Sequence, residues 1–148
     1  MALTRAQVET LIIKRVGLLF TELSLDGTTV DGTNADLNDP IVNALWLFDE
    51  TVSNPALVAD ADIDDIAADE YREFVDTVEV RCLETALQAL TAVNITVGPR
   101  SEAYDQLGQR IEKAIERKRA YMAKEYGTSV PTPSAGYISL HIAEHDEE

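Results

Sequence analysis

Apolar side chains return every three or four residues along the first part of the chain, and this period predicts an α-helix from about Arg5 to Leu23. Thr4 is a favourable N-cap for that helix, and Gln7 three residues later completes a capping box. The predicted stripe contains one polar side chain, Arg15, and otherwise consists of Val8, Leu11, Ile12, Leu19 and Leu23. The spacing therefore predicts a first helix with one face in a core.

A second, shorter stripe follows a polar loop that contains the turn dipeptides Asp26-Gly27 and Asp31-Gly32. It predicts a helix from Pro40 to Phe48, with Asp39 as N-cap and Pro40 at the first helical position. Trp46 lies off the stripe, so it is either a partly buried surface residue or an interface anchor. A short helical turn is predicted for Ala61 to Ile66.

Two long helices are predicted for the rest of the body, from Asp69 to Ala92 and from Glu102 to Tyr126. Cys82 lies on the apolar stripe of the first of them, which favours a core residue over a nucleophile. Gly127 supplies a C-terminal stop for the second. The fold class predicted for residues 1–127 is all-α, a small helical bundle with two long helices.

The end of the chain has a different period. Thr128 to Gly136 is a linker rich in Pro and Ser, and after it the apolar positions alternate. In the stretch GYISLHIAEHDEE, Ile138, Leu140 and Ile142 share one face, and Tyr137, Ser139 and His141 share the other. The body offers no predicted sheet, so residues 128–148 are predicted to be an extended arm whose terminal strand adds to the sheet of a partner chain.

Composition narrows the range of functions. The net charge of −15 argues against gripping nucleic acid, although an acidic surface can line a channel through which DNA slides without sticking. Sixteen acidic residues and one basic residue, Arg72, lie between Glu22 and Glu79, whereas six of the twelve basic residues lie between Arg110 and Lys124. A single cysteine excludes an intrachain disulfide and is typical of a protein made in the cytoplasm. No apolar run approaches the roughly 20 residues of a membrane span, and we expect no signal peptide.

Two stretches of the sequence resemble metal-binding motifs. DADIDD, Asp60 to Asp65, begins like a calcium loop, but Asp65 and Tyr71 stand where that loop needs Gly and Glu. HIAEH, His141 to His145, matches an inverted zinc-protease motif, which requires a helix and a further ligand. Here the stretch alternates like a strand and the chain has no other histidine, so we expect no catalytic residue, no metal and no cofactor.

Three stretches carry a family resemblance: DLNDPIVNAL, DIDDIAADEYREFVDTVEVRCLETAL and NITVGPRSEAYDQLGQRIEKAIERKRAYMAKEYG, followed by the extended tail. Together they resemble the head–tail connector (adaptor) proteins of long-tailed bacteriophages. The resemblance implies a virion structural protein, made in the host cytoplasm, that forms a closed ring of about twelve copies between the portal and the tail. Its implied partners are its own copies, the portal protein, the next connector or tail protein, and DNA that passes through the channel without specific binding. The residues implied or predicted to contact protein partners are Tyr137, Ile138, Ser139, Leu140, His141, Ile142 and Trp46.

Other classes stay open at the level of sequence. One alternative is a neighbouring connector component, such as a stopper or a tail terminator. An acidic helical binding module of the cytoplasm, such as an inhibitor or regulator, would remain monomeric or dimeric. A small metal hydrolase would require zinc at His141 and His145.

Overall fold

A computed structural model describes the backbone of residues 2–96 and 101–127 and the side chains of residues 2–91 and 105–127. Five α-helices and one short 3-10 turn form this part of the chain, and no strand occurs among the described residues, which confirms the all-α class. The predicted C-terminal arm and its strand lie outside the described residues. The helices are α1 Arg5–Glu22, α2 Ala35–Leu47, α3 Asp60–Asp64, α4 Tyr71–Thr96 and α5 Ser101–Tyr126, and the 3-10 turn is Ala68–Glu70.

The start of α1 follows the sequence signal closely. The Thr4 hydroxyl accepts a hydrogen bond from the Gln7 backbone N–H, and the Gln7 side chain accepts one from the Thr4 N–H. This reciprocal pair satisfies two of the donors that a helix start leaves without partners. The capping box predicted at this position is therefore confirmed.

The predicted start of α2 is wrong. The helix begins at Ala35, and its N-cap is Asn34, whose Oδ1 accepts hydrogen bonds from the N–H groups of Asp36 at 3.0 Å and Leu37 at 3.2 Å. Pro40 lies inside the helix, one turn and a half from its start, where its missing N–H removes only one helical bond. Asn34 prevails over Asp39 as the cap because it is completely buried and held by further hydrogen bonds.

The central element of the bundle is α4, which packs against α1, α2 and α5. The hydrogen bond between Tyr126 and Asp76 and the position of Gly108 beside Leu90 show that α4 and α5 run antiparallel as a helical hairpin. Cys82 on α4 is completely buried, as predicted for a core residue, and burial raises the pKa of its thiol. The largest side chains of the core are Phe20, Phe74, Ile12, Leu37, Ile41, Leu45, Ile63 and Met122.

The loop between α1 and α2 lies directly on α1. A Cβ atom added at Gly27 would lie 2.1 Å from the carbonyl oxygen of Gly17, so the two glycines bring loop and helix backbones into contact. Neither position tolerates a side chain without movement of backbone. The close approach holds the loop over the helix and places its polar residues next to the first turns of α1.

Candidate functional site

The residues predicted to contact partners divide into two groups. Tyr137, Ile138, Ser139, Leu140, His141 and Ile142 lie outside the described residues. Trp46 lies near the C-terminal end of α2 with 54% of its surface exposed, and the neighbouring Leu47 is 40% exposed. Two adjacent, accessible apolar side chains suit a contact surface, and the role of Trp46 as an anchor stays a prediction.

A buried ion pair that the sequence reading missed lies at the start of α1. Arg5 Nε donates to Glu9 Oε2 at 3.0 Å, and both side chains are almost completely inaccessible to water. Arg5 also donates to Asn38 Oδ1 at 2.7 Å, to the carbonyl oxygen of Val58 at 3.1 Å and to that of Asn34 at 2.8 Å. The guanidinium therefore binds α1, the loop before α2, α2 itself and the segment before α3.

Glu9 completes this polar network from the other side. Its carboxylate accepts hydrogen bonds from the backbone N–H of Gly32 at 2.6 Å and of Asn34 at 3.0 Å. The amide of Asn34 in turn donates to the carbonyl oxygens of Asp26 and Thr29, both at 3.0 Å. A buried charged group is stable only when hydrogen bonds inside the protein replace those it made to water. Arg5 and Glu9 have such partners, and we interpret the network as holding the loop in place rather than as a catalytic site.

The signal for this pair was present in the sequence. Arg5 and Glu9 are in phase with the buried side chains Val8, Ile12 and Val16, whereas Arg15 was predicted to be the only polar member of the stripe. That prediction is wrong, because the side chain of Arg15 is 36% exposed at the edge of the helix. Two opposite charges four residues apart on an otherwise apolar face indicate a buried pair.

A second charged cluster joins α1, α4 and α5 around Asp76. Its carboxylate binds Arg15 Nη1 at 2.9 Å and Lys118 Nζ at 2.8 Å, and it accepts a hydrogen bond from the Tyr126 hydroxyl at 2.7 Å. Burial alone raises the pKa of Asp76, but the hydrogen bonds from Lys118, Tyr126 and Arg15 outweigh it and hold the pKa below its ordinary value. Burial and the bond to Asp76 raise the pKa of the Tyr126 hydroxyl. The cluster fixes the end of α5 on the rest of the bundle.

The lowered pKa of Asp76 predicts how stability depends on pH. A carboxyl group whose pKa is lower in the folded than in the unfolded chain stabilises the fold above its unfolded value, near 3.9, and this contribution is lost as pH falls through the folded value. We expect Asp76→Asn to cost about 1–3 kcal/mol at neutral pH, and the difference from wild type to shrink in acid. Urea unfolding across an acid pH series measures it, with the exposed Asp39→Asn as control. A difference that stays constant down to the lowest pH at which the chain folds would contradict the assignment.

The solvent side of α5 divides into two stripes of opposite charge. We call the first the basic stripe: it consists of Arg110, Lys113, Arg117 and Lys124, spaced at three, four and seven residues and all exposed. Beside it lies an acidic stripe of Asp105, Glu112 and Glu116, also exposed. The remaining two cations of this helix, Lys118 and Arg119, turn towards α4 and pair with Asp76, Glu79 and Glu84.

The acidic counterpart of the basic stripe lies on other elements. We call it the acidic segment: residues 60–70, which cover α3 and the 3-10 turn before α4, expose five carboxylates on Asp60, Asp64, Asp65, Asp69 and Glu70. Of these, Asp60 also accepts a hydrogen bond from the backbone N–H of Arg5 at 2.8 Å. One chain therefore carries a stripe of exposed cations on α5, next to exposed carboxylates of the same helix, and a cluster of exposed anions on residues 60–70.

Residues 2–96 and 101–127 contain no group of three or more His, Cys, Asp or Glu placed to hold a metal ion. None of the helices described there has the length and apolar character that crossing a membrane requires. Comparisons with protein-family models, with curated proteins and with solved structures found no match for the chain.

Proposed function

We propose that this chain is a virion structural protein that forms a ring between the portal and the tail of a long-tailed bacteriophage. The ring joins head to tail and surrounds the channel through which DNA passes. The proposal combines the family resemblance of the sequence with an all-α body that carries two exposed surfaces of opposite charge. It assigns the chain no catalysis and no cofactor.

The observation that carries the proposal is the separation of the basic stripe from the acidic segment. Two different complementary surfaces on one chain favour contact between the stripe of one copy and the segment of the next. Such heterologous contacts repeat in the same direction and close into a ring when the rotation per copy divides a full turn, at about twelve copies in connectors of this kind. The copies would assemble in the virion after synthesis in the host cytoplasm.

The remaining surfaces suit the other partners. The chain has 27 acidic and 12 basic residues, and a strongly acidic lining repels the phosphates of DNA and so lets it slide. The arm, with Ile138, Leu140 and Ile142 on one face, would add a strand to the portal or to the next connector. Trp46 would anchor a further contact from the end of α2.

The experiment reverses the charge of the basic stripe. The variant Arg110→Glu, Lys113→Glu, Arg117→Glu should lose ring assembly, because like charges then face each other between copies. Adding Asp64→Lys, Asp65→Lys and Asp69→Lys to the same chain should restore the ring. The matched control Glu112→Lys, Glu116→Lys changes the neighbouring stripe of the same helix and should still assemble.

Light scattering measures the mass of each variant in solution, and negative-stain images show whether a ring forms. Wild-type assembly should also weaken as salt is added, because exposed charges are screened within about 10 Å at 0.1 M ionic strength. If the reversed stripe assembles like the wild type, the proposed contact is wrong. A wild-type chain that stays monomeric or dimeric, and is absent from virions, would favour the acidic binding module instead.

A further inference from the structure

An apolar groove follows the first two turns of α1 where the helix faces the start of α4. The groove has a volume of about 520 Å³, and its walls include Leu3, Ala6, Thr10 and Leu11 on one side and Tyr71 on the other. The hydroxyl of Thr10 donates to the carbonyl oxygen of Ala6 at 2.8 Å, so this polar group is already satisfied within the helix. Leu11 is in phase with the buried stripe but remains 37% exposed, because the groove is open there.

The last described residues lie near the start of α4, the helix that forms one wall of this groove. The Tyr126 hydroxyl binds Asp76 on α4, and the Arg72 guanidinium lies 5.8 Å and 6.0 Å from the ring centres of Tyr121 and Tyr126. Tyr71, which forms the α4 wall of the groove, immediately precedes Arg72. Gly127 directly follows Tyr126, so the last described residue lies near the start of α4, which supplies the Tyr71 wall of the groove.

The length of chain beyond Gly127 suits an occupant. Ten residues, 128–137, separate Gly127 from Ile138, and an extended segment of that length spans up to about 33 Å. Two turns of an α-helix measure about 11 Å, so an arm of this length can reach any part of the groove from the end of α5. We propose that the groove binds the aliphatic face of the arm of the same chain, formed by Ile138, Leu140 and Ile142.

Charge at the far end of the groove agrees with this occupant. The arm continues with four acidic residues, Glu144, Asp146, Glu147 and Glu148. Lys14, which is exposed on α1, follows Leu11 by three residues and so lies on the same side of the helix. The groove covers the apolar side chains of the arm but offers no sheet edge, so a partner that takes the arm as an added strand must first release it.

Thiol reactivity tests the proposal on the full-length, dilute chain. The native Cys82 is completely buried, so we expect its thiol to react slowly. A cysteine introduced into the arm is then the only thiol that reacts quickly. Ile142→Cys reports on the inner face and the adjacent His141→Cys on the outer face. With an uncharged maleimide, we expect the inner thiol to react about tenfold more slowly, which corresponds to about 1.4 kcal/mol.

The groove supplies its own matched pair of variants. Leu11→Glu places a carboxylate in the groove and should abolish the difference between the two thiols. Leu18→Glu makes the same change on the same helix at a side chain that is 87% exposed, and should leave the difference intact. Circular dichroism of each variant verifies that α1 and the bundle are folded.

Three results would overturn the proposal: equal reactivity of the two thiols in the wild-type background, equal effects of Leu11→Glu and Leu18→Glu, or protection that disappears on dilution. The last result would mean that the groove binds the arm of a second copy. The proposal does not depend on the ring, because the assay uses the unassembled chain, and a failure of ring assembly would leave its outcome unchanged.

Discussion

Arg5→Met is expected to lower the free energy of unfolding by about 3–5 kcal/mol, the usual cost of removing one partner from a buried ion pair. The Met side chain fills similar space but donates no hydrogen bond. Glu9 would keep the N–H groups of Gly32 and Asn34 as donors but would lose its counter-ion at a completely buried position. The carbonyl oxygens of Val58 and Asn34 would lose a donor as well.

Chemical denaturation followed by circular dichroism measures the effect. The matched control is Arg117→Met, which removes an exposed arginine from α5 and should change the free energy of unfolding by no more than about 0.5 kcal/mol. A loss below about 1 kcal/mol for Arg5→Met would mean that the buried network contributes little, and that water or a rearranged loop can replace the guanidinium.

Gly27→Ala is expected to cost about 2–3 kcal/mol, because the added methyl group meets backbone rather than a movable side chain. Its Cβ would lie 2.1 Å from the Gly17 carbonyl oxygen and 2.6 Å from Thr21 Oγ1, which itself donates to that oxygen at 3.0 Å. The loop must therefore move away from α1, and the hydrogen bonds that hold it on Glu9 must stretch or break.

Gly108→Ala is the matched control for this substitution. A Cβ there would meet only the ends of two flexible side chains, Leu90 Cδ2 at 3.3 Å and Leu87 Cδ1 at 4.0 Å. Alanine also favours a helix interior over glycine by about 0.5–1 kcal/mol, so we expect this variant to be neutral or slightly stabilised. Thermal or urea unfolding measures the stability of both variants. Equal losses of stability in the two would contradict the close approach of loop and helix.

The sequence predicted the helices where stripe and cap agree. Thr4 with Gln7 marked the start of α1, and the apolar period placed α4 and α5 to within a few residues of their observed bounds. The start of α2 was predicted wrongly because Asp39-Pro40 is by itself a favourable start for a helix. Asn34 is the actual cap, and it is held there by a buried network with residues far along the chain. Local propensity cannot register such a contribution.

The surfaces were less accessible to sequence reasoning than the helices. The concentration of cations between Arg110 and Lys124 was visible, but only packing shows that Lys118 and Arg119 pair with α4 while the basic stripe faces solvent. The groove on α1 was not predicted at all, since Leu11 looked like a core position. An apolar residue on a stripe is buried only if a neighbouring element packs over it. The stripe alone does not show which element that is.

Electron microscopy of the wild-type chain, alone and in the particle from which it comes, tests the central claim most directly. The proposal predicts closed rings of about twelve copies with an open channel, placed between the portal and the tail. Copies that remain monomeric or dimeric in isolation and are absent from the neck of the particle would contradict it.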